Sequence, residues 1–107
     1  MTVSEFRRMA LSMPEAVEAA HMGHPDFRVG GKIFATLGYP SAAFAAIMLT
    51  PEQQELFVRT ESTTFKPVSG GWGAKGATQI VLRTAKKSAV REALRVAWSN
   101  RAPRRKQ

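Results

Sequence analysis

Apolar residues recur at three- and four-residue steps at Val3, Phe6, Met9, Ala10 and Met13, which predicts an amphipathic helix over residues 3–12. Thr2 and Glu5 have the spacing of a capping box that would start it, and Pro14 would end it. Residues 16–22 fit neither helical nor strand periodicity. Their alanines favour a helix, but the stretch is short and confined between Pro14 and Gly23. The character then turns extended. Phe27–Val29 and Lys32–Leu37 read as strands separated by Gly30-Gly31, the residue pair that a tight primed turn requires. That hairpin would set Phe27 opposite Phe34 and Arg28 opposite Ile33.

The unbroken apolar run from Ala42 to Leu49, after the turn Gly38-Tyr39-Pro40-Ser41, predicts a buried strand. Thr50-Pro51-Glu52-Gln53 then carries an N-cap, a proline at the first helical position and the glutamine of a capping box. The short helix that follows has Leu56 and Phe57 as its apolar face and fades by about Arg59. Thr63–Val68 and Ala77–Arg83 read as strands, the second with Ile80 and Leu82 on one face and Val81 on the other. Between them "SGGWGAKG", Ser69 to Gly76, reads as a glycine-rich loop around one tryptophan. A last helix spans about Ala85 to Asn100, with the apolar stripe Val90, Leu94, Ala97 and Trp98.

Strands joined by short turns, with helices before, between and after them, imply an α+β domain of two layers: an antiparallel sheet of about five strands, helices packed on one face, and room for one more strand near residue 18. At 107 residues the chain is a single domain over residues 1–100. Residues 101–107 have the composition of a disordered basic tail.

Composition narrows the function classes. There is no cysteine, which removes disulfides, thiolate metal sites and thiol catalysis. The longest apolar run has eight residues, Ala42 to Leu49. A membrane-spanning helix takes about 20, so the expectation is a cytoplasmic protein with no membrane partner.

Charge is distributed unevenly. Residues 1–82 carry seven basic and seven acidic side chains, whereas residues 83–107 carry nine basic groups against Glu92 alone, so the net charge of +8 resides in the last quarter. Lys87, Arg91 and Arg95 fall at four-residue steps, one row on the last helix, where like charges oppose each other. Lys86 and Lys87 sit at that helix's N-terminus, where the dipole disfavours cations. A polyanion would relieve both conflicts. The candidate nucleic-acid-binding residues are therefore Lys86, Lys87, Arg91, Arg95 and, on the tail, Arg104, Arg105 and Lys106. They would hold DNA through its phosphates, or alternatively an acidic protein partner.

Other motifs resolve toward architecture. Gly30-Gly31-Lys32 lacks the spacing and the following hydroxyl of a phosphate loop. His21 and His24 form an H-x-x-H pair with Asp26 as the nearest third ligand, too close in sequence to close a metal site, so no metal or cofactor is expected. No serine lies in a nucleophile elbow, no carboxylates are paired in sequence, and the chain reads as non-enzymatic, with no catalytic residues. Trp72, with Lys75 beside it, either covers one end of the core or is a platform for a small ligand.

The run "GHPDFRVGGKIFATL" resembles the signature of the MmcQ/YjbR family in Gly23, Pro25, Phe27, Arg28, Gly30, Gly31, Lys32, Phe34 and Ala35. Met13-Pro14-Glu15 resembles that family's Leu-Pro segment, and Trp72 stands where the family has a tryptophan after a glycine. Gly73 departs from the pattern, replacing the usual aliphatic residue. The resemblance covers about residues 3–98. It implies a small α+β fold like secretion chaperones and frataxin-like domains, proteins often labelled DNA-binding, and it brings no catalytic residues. It also keeps open a protein-interaction or chaperone-like role.

Overall fold

The computed structural model describes residues 1–39 and 41–103. Pro40 and residues 104–107 lie outside the described residues, and with them the candidate residues Arg104, Arg105 and Lys106.

Helix α1 (Val3–Leu11) starts at the expected capping box. The Glu5 backbone N–H donates to Thr2 Oγ1 at 3.0 Å, and the Thr2 N–H donates back to Glu5 Oε1 at 2.8 Å. The ambiguous segment after Pro14 is strand β1 (Val17–His21), paired antiparallel with β2 (His24–Val29) across a Met22-Gly23 turn in which both residues have positive φ. Strand β3 (Lys32–Leu37) follows the glycine pair, then come β4 (Phe44–Met48) and helix α2 (Pro51–Thr60), whose Thr50–Gln53 capping box is again present. Strand β5 (Phe65–Pro67), the single-turn helix α3 (Gly71–Ala74), strand β6 (Ala77–Val81) and helix α4 (Lys87–Arg101) complete the chain.

All six strands form one antiparallel sheet in the order β1-β2-β3-β4-β6-β5. Phe27, Ala35 and Ile47 project from one face together with Leu37, Ala45, Ile80 and Phe65. There Phe6 and Ala10 of α1 and Val90, Ala93, Leu94 and Ala97 of α4 complete the core, joined by Phe57 and Val58 of α2. The opposite face carries the row Asp26, Thr36, Ala46 and Gln79 across four strands. It is covered only in part, where Val68 packs on Ala46, Ala77 and Met48.

The hairpin register differs from the sequence expectation in one respect. Arg28 pairs with Ile33, but Phe27 pairs with Ala35, because a β-bulge inserts Phe34 between them. Strict alternation would turn either Phe34 or Ala35 out of the core. The extra residue lets two consecutive residues, both fully buried, enter it. The further strand for which the sequence left room near residue 18 is present: the sheet has six strands because residues 17–21 join it as an edge. Three further expectations are corrected. Residues 82–84 leave β6 as a turn of 3-10 helix. The Ser69–Gly76 loop contains the helical turn α3. Leu56 is exposed, and Phe57 with Val58 forms the half-buried, core-facing side of α2.

Helix α4 extends one residue beyond Asn100 to Arg101, and the Pro103 ring lies against Gly30. Gly30 and Gly31 both have positive φ, +57° and +80°. A β-branched residue in that region costs about 1–2 kcal/mol, and at Gly30 its Cβ would also meet the Pro103 ring. Gly30→Val and Gly31→Val should each lower the melting temperature by about 5–15 °C. Unchanged melting in both variants would count against the turn assignment.

Candidate functional site

Two surfaces bring candidate residues together. The first is the groove between α1 and α4, of about 250 Å³, lined by Glu5, Arg8, Met9, Ser12, Lys87 and Arg91. Helical spacing places Lys87, Arg91 and Arg95 in one exposed row, as expected. The conflicts expected at the start of α4 are met from within the chain. Lys87 Nζ donates to Glu5 Oε2, and Lys86 Nζ lies 3.6 Å from Glu61 Oε2. Two of the candidate cations are thus paired with carboxylates that are remote in sequence. Among the described residues, no carboxylate lies within ion-pair distance of Arg91 or Arg95. Arg8, which sequence reasoning did not single out, faces Arg91 across the groove; only the packing of α1 on α4 reveals it.

The Lys87 ammonium, through its hydrogen bond, draws the Glu5 carboxyl down to about 2 from an ordinary 4.5, with the Thr2 backbone N–H assisting. The unfolded chain therefore binds a proton that the folded chain refuses between pH 4.5 and about 2. That pair's stabilisation is complete above pH 4.5 and is lost as pH falls through about 2. In acid titrations followed by circular dichroism, Glu5→Gln should show a shallower loss of stability over this window than the parent. Identical profiles would refute the pairing.

The second surface is a cleft of about 560 Å³ on the uncovered sheet face, lined by His21, Met22, His24, Thr36, Tyr39, Ser69 and Trp72. The β1–β2 turn forms one wall. The Ser69–Trp72 segment forms the other, held because Gln54 Nε2 on α2 donates to the carbonyls of Gly73 (3.1 Å) and Ala77 (2.9 Å). His24, Tyr39 and Trp72 stand in consecutive edge-to-face contacts, with centroids 6.4 and 5.8 Å apart. Trp72 is 48% exposed, so it does not cover the core. Trp98, by contrast, packs against the core and donates its indole N–H to the Pro14 carbonyl at 2.9 Å. Lys75 lines a smaller groove of about 110 Å³ with Arg101, into which Trp72 also extends.

Beside the cleft, Asp26 is fully buried. Arg28 grips it by donating from Nε to Oδ1 at 2.8 Å and from Nη2 to Oδ2 at 3.0 Å, and His21 Nδ1 lies 2.7 Å from Oδ2. The Arg28 hydrogen bond holds the Asp26 carboxyl below the usual range against the opposing effect of burial. With Asp26 ionised, His21 donates from Nδ1, leaving Nε2 as its second hydrogen-bonding nitrogen. Thr36 is only 2% exposed, and its hydroxyl has no hydrogen-bond partner among the described residues. His21 and His24 gather on this cleft with an aromatic pair, and no cluster of three or more metal-ligating side chains occurs among the described residues. Trp72 is the residue of this cleft that the sequence offers as a ligand platform; the H-x-x-H pair reads as architecture, and nothing in the sequence ties either to Thr36, Tyr39 or Ser69. No helix among the described residues is long and apolar enough to cross a membrane.

No curated protein matches the chain. The crystal structure of Deinococcus radiodurans protein DR2400, which carries a DUF419 domain, superposes with a TM-score of 0.72. That match has 18% identity over 91% of this chain and 75% of that one, a likeness of fold. The YjbR family profile matches residues 11–100, which takes in the β1–β2 turn, the bulged hairpin, Trp72 and nearly all of α4. With the six-stranded sheet and its helical layer in place, this match establishes that the chain belongs to the YjbR family.

Proposed function

We propose that the protein is a non-enzymatic binding module that holds DNA through its phosphates, using α4 and the residues that follow it, with little dependence on base sequence. The observation that carries this reading is the pair Arg91 and Arg95. They lie one helical turn apart on the exposed side of α4, without a carboxylate partner among the described residues, and with Arg8 across the groove from Arg91. An unpaired row of guanidinium groups suits phosphate, which each group can grip with two parallel hydrogen bonds. Lys86 and Lys87 contribute less, because their charge is already engaged by Glu61 and Glu5. The decisive comparison is fluorescence anisotropy of a labelled duplex at 50 mM salt with the parent and with the double variant Arg91→Ala/Arg95→Ala. Clear weakening in the variant supports the reading, and equal affinity defeats it.

A further inference from the structure

The open-face cleft has a chemistry that phosphate contact on α4 does not use. Its volume, about 560 Å³, falls within the roughly 300–1,000 Å³ typical of small-molecule sites. One wall is the indole of Trp72 set against Tyr39, the flat apolar surface on which a planar ring stacks. Its floor includes Thr36, whose buried hydroxyl lacks any partner among the described residues. A buried hydroxyl without a partner is costly, and it is retained at little penalty if something entering the cleft satisfies it.

The charges next to the cleft decide what can enter. Among the described residues, no lysine or arginine lines it. The neighbouring Arg28 does not line the cleft, and its charge is offset by the Asp26 carboxylate that its Nε and Nη2 hold, so an anionic ligand finds no strong counter-charge. Asp26 in turn has both oxygens occupied by Arg28 and His21, so an ammonium ligand finds no open carboxylate. The polar groups that line it are the Thr36 hydroxyl, the Ser69 hydroxyl and the imidazoles of His21 and His24.

We propose that this cleft binds an uncharged planar heterocycle of the nucleobase type, stacked against Trp72 and hydrogen-bonded along its edge to Thr36. Stacking tolerates any such ring, because every base has a π-face, while the polar floor requires an edge bearing donors and acceptors.

The test uses the full chain with Trp98→Phe, which leaves Trp72 as the sole tryptophan of the two in the sequence. Adenosine, guanosine, cytidine and thymidine are titrated against its fluorescence, with ribose and inorganic phosphate as controls. Saturable quenching by at least one nucleoside, and none by ribose or phosphate, is expected. A thymidine decamer forms a further arm. Quenching at concentrations well below those needed for thymidine assigns the ring to a base within a strand, and quenching no tighter than thymidine assigns it to a free nucleoside. Binding to variants is read by calorimetry. Trp72→Ala should weaken it by roughly tenfold or more. Thr36→Val should weaken it by roughly fivefold while leaving the melting temperature equal or higher, because the hydroxyl it removes stabilises nothing in the free protein. Nucleosides carry no phosphate, so failure here leaves the α4 reading intact, and failure of salt-dependent duplex binding leaves this one intact. Absence of saturable quenching by all four nucleosides, equal quenching by ribose, or undiminished affinity in both variants would overturn the proposal.

Discussion

Gly73→Ala and Gly76→Ala should each destabilise the protein by about 3 kcal/mol or more, a drop of roughly 15 °C in melting temperature. A Cβ on Gly73 would stand 1.6 Å from the Val68 carbonyl oxygen, and one on Gly76 would stand 2.0 Å from that of Leu49. Both obstacles are backbone, so no rotamer change relieves them. Gly76 also has φ +112°, a conformation side-chain-bearing residues rarely adopt. The control is Gly71→Ala in the same helical turn, where a Cβ meets nothing within 4 Å and φ is not positive. It should be neutral or slightly stabilising. If all three variants melt alike, the close approach of these backbones is wrong. The same two contacts, with the Gln54 hydrogen bonds, fix the turn that presents Trp72 to the cleft. Gly73→Ala should therefore also shift Trp72 emission, whereas Gly71→Ala should not. No side chain fits at position 73 in this chain.

Elements whose cause is local were legible in the sequence. The capping boxes at Thr2 and Thr50 and the Gly30-Gly31 turn act through neighbours a few residues away, and each appears as expected. What escaped depends on distant partners. β1 is an edge strand with no fully buried residue, so it has no alternation to read, and pairing with β2 alone makes it a strand. The bulge at Phe34 is a packing solution that admits two adjacent residues to one core. α3 forms among four glycines because Gln54 and two tight backbone contacts hold it, against intrinsic propensity. At the sites, the basic row on α4 was legible from four-residue spacing, but its partial neutralisation by Glu5 and Glu61 was not. Those acids lie 82 and 25 residues away in sequence from Lys87 and Lys86. For the cleft only Trp72 was legible, because its walls come from residues 21–24, 36–39 and 69–72, which are far apart in sequence.

That partial neutralisation sharpens what DNA binding should look like. With Lys86 and Lys87 engaged by carboxylates, the members of the candidate set left to displace counterions are Arg91 and Arg95 on α4 and, in the sequence beyond the described residues, Arg104, Arg105 and Lys106. Five phosphate contacts give a slope of log K against log salt of about −4.5, so affinity for any duplex should fall roughly 500-fold between 50 and 200 mM salt. Deleting residues 104–107 removes three of the five and spares Pro103, which packs on Gly30. Its slope should relax to about −1.8, a loss of roughly 12-fold over the same interval. Arg91→Ala/Arg95→Ala in the full chain should give about −2.7, or roughly 40-fold. Lys86→Ala separates specific contact from bulk charge. It lowers the net charge as much as any single arginine change, yet its ammonium is already paired with Glu61, so the slope should stay near that of the parent. Anisotropy titrations of all four proteins at several salt concentrations decide the matter. Absence of binding at 50 mM salt, equal slopes for parent and truncated chains, or a Lys86→Ala slope flattened as much as an arginine variant's would defeat the phosphate-contact reading.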